Sequence, residues 1–283
     1  MAQPFRFAVC NELFQSVPFG EICRKVRELG YEGLEIAPFT LAEQPLDISA
    51  AKRKEIHKTL QEEGLCFVGL HWLLVSSLGL HVTTPDMTLR RRSWEHIRQL
   101  IDLCADLAGC NPDDNGVLVF GSPKQRSTVD GMSRKDAMDV FTNELAHVAA
   151  HAEDSRVKIL VEALPKNQSD VINTLAEAVA IVRQIGSPAI KTMFDTHNAV
   201  DETEPHAALI RKYFPYIFHI HVNEADGREP GMGDYDFTTV LSVLKDLDYP
   251  GWISLEAFDF SRDPEEIAGR AIRHLQVASA AAA

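Results

Sequence analysis

Four side chains able to hold a metal stand at the ends of successive apolar runs in the second half of the 283-residue chain. Glu162 closes KILVE, Asp195 closes IKTMFD, His221 closes IFHIH and Glu256 closes WISLE. One strand-end glutamate alone would do no more than cap the next helix. Four in succession differ, because buried carboxylates at that density repel one another unless a cation neutralises them. The mixed oxygen and nitrogen set suits a divalent ion of intermediate hardness. Mn²⁺ comes first, with Co²⁺, Mg²⁺ or Zn²⁺ as alternatives, and positions stay open for substrate oxygens. No cysteine joins the set, which argues against structural zinc. Such an ion, bound to a substrate carbonyl and its neighbouring hydroxyl, acidifies the adjacent C–H by stabilising the enediolate. Glu162 and Glu256 are the expected base pair, one removing a proton and the other returning it. Return to the opposite face inverts the carbon; return to the neighbouring carbon moves the carbonyl.

Other polar residues end runs in the same way. Glu35, His71 and His197 are expected to contact substrate, with His197 meeting a hydroxyl or orienting a ligand. Trp72 offers an apolar face to the C–H side of a substrate, or else belongs to the core. His219 shares a face with His221 and is expected one layer deeper. The loop FGSPKQRST, 120–128, carries Lys124 and Arg126, which would meet a phosphate or carboxylate if the substrate bears one.

The elements that must position these residues follow from hydrophobic periodicity. Short β-branched or aromatic runs alternate with stretches of helical spacing, as βα units do. Strands are expected at Phe5–Cys10, Gly33–Ala37, Cys66–Trp72, Gly116–Gly121, Lys158–Glu162, Ile190–Asp195, Ile217–His221 and Trp252–Glu256. Eight units in about 250 residues is the size of one (β/α)8 TIM barrel, here a single domain over residues 1–283. The C-terminal strand ends of such a barrel share one face, so the polar residues should converge there. A doubly wound open sheet is disfavoured because AVCNELF, not a G-x-G-x-x-G turn, follows the first strand. Gly30 in VRELGYEG and Gly64 in LQEEGLC read as left-handed helix stops, and RDPEE, 262–266, reads as a helix start with Asp263 as N-cap.

Composition narrows the partners. A net charge of −13, with 28 Lys and Arg scattered along the chain, disfavours nucleic acid and anionic membrane. No run of roughly 18 apolar residues and no signal-peptide pattern is present, so a cytoplasmic location is expected. The five cysteines are dispersed without a C-x-x-C pair and read as small buried residues of a reducing compartment.

Five segments together resemble the xylose isomerase-like TIM barrels, in particular the branch of sugar 3-epimerases and hydroxypyruvate isomerases. They are GYEGLEIAP (30–38), ILVEALPKNQSDVINT (159–174), MFDTHNA (193–199), HIHVNEADGREPGMGDYDF (219–237) and GWISLEAFDF (251–260). The resemblance implies that Glu162, Asp195, His221 and Glu256 are the metal ligands, that Arg228 holds substrate oxygens, and that the protein forms homodimers or homotetramers. Two positions depart from the epimerase pattern. Gln168 stands where a second glutamate is usual, and His197 and Asn198 follow the aspartate where the pattern has its histidine one place later than His197. Arg228 also lies one residue further from His221 than the pattern has it. These differences bear on the identity of the sugar and leave the metal set intact.

Three other activities compete with a sugar isomerase or epimerase. A lyase acting on an oxidised sugar or glycoside would use the same enolate chemistry. A hydrolase like endonuclease IV would need a basic face and more strand-end histidines. A barrel that binds a sugar without turning it over would lack the metal set.

Overall fold

The computed structural model describes residues 5–75, 78–110 and 115–282. Eight parallel strands close into a barrel in sequence order: β1 (Arg6–Cys10), β2 (Gly33–Ile36), β3 (Cys66–Leu70), β4 (Val117–Phe120), β5 (Lys158–Val161), β6 (Ile190–Asp195), β7 (Ile217–Val222) and β8 (Trp252–Leu255). Each falls within two residues of the sequence expectation at either end. Helices pack outside: α1 (Phe19–Leu29), α2 (Ala50–Glu62), α3 (Met87–Leu107), the single turn α4 (Pro123–Arg126), α5 (Arg134–Asp154), α6 (Leu175–Ile185), α7 (His206–Tyr213), α8 (Phe237–Asp246) and α9 (Pro264–Ala281). The fold is a (β/α)8 TIM barrel.

Runs such as VLVF and WISL are buried on both faces, so they show apolar continuity and little alternation. Parity still separates the faces. Leu34, Ile36, Leu118 and Phe120 join the large core beneath the helices, whereas Val117, Val119, Leu160 and Met193 form a separate small cluster. The metal-ligand candidates continue that second parity: Glu162 follows Leu160 by two, and Asp195 follows Met193 by two. Period-two geometry therefore carries them to the mouth of the barrel interior.

Helix ends obey their local signals. Gly30 takes φ of 100° after α1 and Gly64 takes 68° after α2. Asp263 accepts from the amide of Glu265 with Pro264 in the first turn of α9. Among the described residues no helix is long and apolar enough to cross a membrane.

Candidate active site

Glu162, Asp195, His221 and Glu256 converge, with one ligand atom from each lying within 4.8 Å of all the others. All are at least nine-tenths buried. Short loops fix each carboxylate. Asp195 Oδ1 accepts from the amides of His197 and Asn198 at 2.7 and 2.8 Å, which turns the chain sharply after β6. Its Oδ2 is buried with no hydrogen-bond partner and lies 3.6 Å from His221 Nδ1. Glu162 Oε1 accepts from Asn198 Nδ2 at 2.8 Å, and Glu256 Oε1 accepts from Trp72 Nε1 at 2.8 Å.

The donor set fits a divalent cation. An orphaned buried carboxylate oxygen costs stability in a site with nothing to receive it. Burial first, then the charges of Asp195 and Glu256, push the Glu162 carboxyl up to about 8. Burial alone would lower the His221 imidazole, but Glu35 and Glu256 hold it well above its ordinary value. Both directions show an excess of negative charge at this point.

Glu35 does not line the cavity. It is fully buried one layer below, where it contacts His221 Nε2 at 3.1 Å and His219 Nε2 at 2.9 Å. Burial would raise its carboxyl, yet His221 and His219 hold it well below the usual range. Its position is that of an orienting carboxylate, which fixes His221 with Nδ1 toward the cluster. Glu35→Gln is expected to weaken Mn²⁺ affinity by about 10- to 100-fold with little change in kcat at saturating metal, measured by titration calorimetry.

A cavity of about 470 Å³ opens above the cluster, with Glu162 and Glu256 at its base and His71, Trp72, Lys124 and Gln168 on its walls. His71 Nε2 meets Glu12 Oε2 at 2.6 Å. Burial works against the charged imidazole, but Glu12 and then Glu35 raise it to about 9. Trp72 has φ of 51°, a left-handed conformation costing about 1–3 kcal/mol at a bulky residue. It is held by stacking on Phe39 and Phe258, at 5.8 and 6.4 Å, and by its bond to Glu256.

Arg126, Arg228 and His197 lie outside the cavity, whereas Gln168 stands on its wall. Arg126 is fully buried behind the wall and donates to the carbonyls of Phe120 and Ile172, so it braces the loop after β4. Arg228 is half-buried, pairs with Asp226 at 2.7 Å and does not line the cavity. His197 packs beside Phe258, and its Nδ1 meets the Ala225 carbonyl at 2.8 Å. Gln168 Nε2 reaches Asn198 Oδ1 at 3.5 Å.

Sequence reading missed Glu12, Phe258 and Gly121. Glu12 and Phe258 each stand two residues beyond a strand-end residue already singled out, a spacing that could have flagged them. Gly121 follows β4, and a Cβ there would fall 2.1 Å from Glu162 Oε2. Gly121→Ala must therefore displace the carboxylate. Turnover is expected to fall about 100-fold while the circular dichroism spectrum stays unchanged.

The model of the xylose isomerase-like TIM barrel family matches residues 23–277. The chain belongs to that family. D-psicose 3-epimerase of Agrobacterium fabrum is 24% identical over 250 residues, covering 86% of this chain and 80% of that protein. The 3-dehydro-D-guloside 4-epimerase of Escherichia coli is 23% identical over 263 residues, covering 90% of this chain and 93% of the relative. The solved structure of an L-ribulose 3-epimerase superposes with a TM-score of 0.83 at 19% identity, over 98% of this chain and 95% of that one. These relatives of the present family member are sugar epimerases, which supports an enzyme acting on a small carbohydrate.

Proposed function

We propose that the protein is a divalent-metal-dependent epimerase of a ketose or keto-sugar, with Glu162 and Glu256 as its acid and base. The observation that carries this reading is the four-residue cluster at the base of the cavity, with Asp195 Oδ2 left unpartnered. Glu162, Asp195, His221 and Glu256 would hold the ion, Mn²⁺ being the first choice. Bound there, a divalent ion polarises a carbonyl and its adjacent hydroxyl and so makes the neighbouring C–H acidic.

The chain's own residues supply the rest. Glu162 and Glu256 come from strands with two others between them, β5 and β8, and border the cavity from different sides. A proton taken by one carboxylate and replaced by the other inverts the carbon between them. Asn198 holds one oxygen of Glu162, and Glu256 is held at both oxygens, Oε1 by Trp72 Nε1 and Oε2 by His221 Nδ1 at 3.1 Å. The rings of Trp72 and Phe258 shield one wall from water and offer apolar contact to sugar C–H groups. Lys124 and Gln168 supply polar contacts on the walls.

Two relatives' names define the substrates to compare, free ketoses and 3-keto-glycosides. Mn²⁺-loaded protein in D₂O with D-psicose, L-ribulose and a 3-keto-glucoside should wash deuterium into a carbon next to the carbonyl and produce the epimer, followed by NMR. Release of an aglycone would instead establish the lyase. Absence of exchange with every substrate would sink the epimerase reading.

A further inference from the structure

The walls of the cavity differ in polarity. The loop after β4 brings the polar side chains of Lys124 and Gln125 to the cavity. Among the described residues, the loops after β3 and β8 line it above the carboxylates with Trp72, Val75 and Phe258 and offer no free side-chain donor. Trp72 spends its one N–H on Glu256, while His71 keeps Nε2 on Glu12 and Nδ1 buried. The apolar surface continues outward. Val75 is 42% exposed, with its amide 3.3 Å from the Trp72 carbonyl. Phe260 is 40% exposed and stands edge-on to Trp72, with ring centroids 6.4 Å apart and planes at 85°. Trp72 itself lies close to parallel with Phe39 and Phe258, at 26° and 18°. Single exposed apolar side chains are ordinary on a protein surface, but a group of them joined to a cavity marks a ligand surface.

The surface is held in place by specific bonds. Asp259 Oδ1 accepts from the Ser261 amide at 3.0 Å and Oδ2 accepts from Arg262 Nε at 2.7 Å, which fixes the turn that presents Phe260. Arg262 in turn pairs with the fully buried Glu229. Phe258 is held through its amide, which donates to the Gly227 carbonyl at 2.9 Å, and a Cβ at Gly227 would fall 2.7 Å from its ring. A surface already ordered in this way binds a ligand without a large ordering cost.

We infer that the substrate is a keto-glycoside with a flat apolar aglycone, its sugar ring over the four-residue cluster and its aglycone against Val75, Phe258 and Phe260. This rests on the epimerase reading above and chooses between the two kinds of substrate compared there. The patch begins inside the cavity at Trp72 and Phe258 and leaves it at Phe260, so its occupant is a group carried by the substrate itself. A free ketose bears an oxygen on every carbon. Its end remote from the cluster would set hydroxyls against Trp72, Val75 and Phe258 and lose their hydration without replacement. An aryl group has no such hydration to lose, and it gains contact with rings that already lie close to parallel. The volume agrees, since about 470 Å³ falls among pockets that enclose drug-sized ligands and leaves room for a ring beyond the sugar.

Equilibrium dialysis of the metal-loaded protein against phenyl and methyl 3-keto-glucosides and D-psicose tests this. The phenyl glycoside should bind about 10- to 100-fold more tightly than the methyl glycoside, the gain for burying one phenyl-sized group. D-psicose should bind more weakly than the phenyl glycoside. The double variant Val75→Ser with Phe260→Ser, both at exposed positions, should cut the phenyl-to-methyl ratio by about tenfold. Equal wild-type affinities for the two glycosides, or D-psicose bound more tightly than the phenyl glycoside, would overturn the inference without recourse to any variant. A ratio undiminished in the double variant would also overturn it. Loss of a wild-type dimer alongside that undiminished ratio, seen by sedimentation, would assign the patch to a second copy of the chain. Dialysis reads binding without turnover. A phenyl preference with no deuterium exchange in any substrate would therefore uphold the substrate class and remove the epimerase reading alone.

Discussion

Glu162→Gln should lower epimerisation by about 10²- to 10⁴-fold at saturating Mn²⁺, the range lost when a positioned acid or base is removed. The amide keeps the shape of the carboxylate and an oxygen for the Asn198 contact, which spans 2.8 Å in the native protein. What it loses is the capacity to carry a proton. Glu256 remains, still held by Trp72 Nε1. If the two carboxylates serve opposite faces, the variant still exchanges the proton of one epimer with D₂O and fails on the other. Conversion and exchange therefore separate: conversion collapses for both substrates, whereas deuterium wash-in collapses for one. Glu256→Gln should show the reverse preference. Conversion within tenfold of wild type, with metal content unchanged, would remove Glu162 from the chemistry. Loss of exchange from both epimers would replace the two-base scheme by a single base.

The residues of the cluster were legible because they follow a local rule. Strand side chains alternate with period two, and the apolar runs before Glu162, Asp195, His221 and Glu256 lead up to the candidate ligand. Barrel closure then brings four adjacent strands to one face, so parity and count are enough. Glu35 obeyed the same rule and was read as a substrate contact. Its depth depends on contacts that sequence spacing does not encode, since Glu35 meets His219 and His221 across the barrel interior. Loop residues were less legible still. Arg126 and Lys124 stand two apart in one loop, yet a single turn of helix buries the first behind the wall and leaves the second facing the cavity. Arg228 turns back onto Asp226, a choice made by the loop's own turn.

Ion binding to the cluster should release protons, and Mn²⁺ affinity should rise with pH. In the metal-free protein Glu162 titrates at about 8 and His221 well above its ordinary value, so both carry a proton at neutrality. A ligand must give up that proton to bind. Between roughly pH 6 and 7.5 up to two protons leave per ion, and Kd should fall by as much as about 100-fold per pH unit, flattening as Glu162 ionises unaided. The stability of the metal-free chain moves the other way. Both pKa values are raised on folding, so the favourable contribution is complete below the unfolded values and is lost as pH climbs through the folded ones. Metal-free Tm should accordingly decline from about pH 6 to 8, while the gain from added Mn²⁺ grows. At 100 times Kd the ion contributes about 2.7 kcal/mol, or roughly 4–5 °C for a chain of this size. Titration calorimetry in two buffers of different ionisation enthalpy measures the released protons directly. A Kd independent of pH across that range, with no proton release, would mean that the cluster is already ionised before the metal arrives. The orphaned Asp195 oxygen would then belong to a site held open by its loops, with no cation needed to balance it.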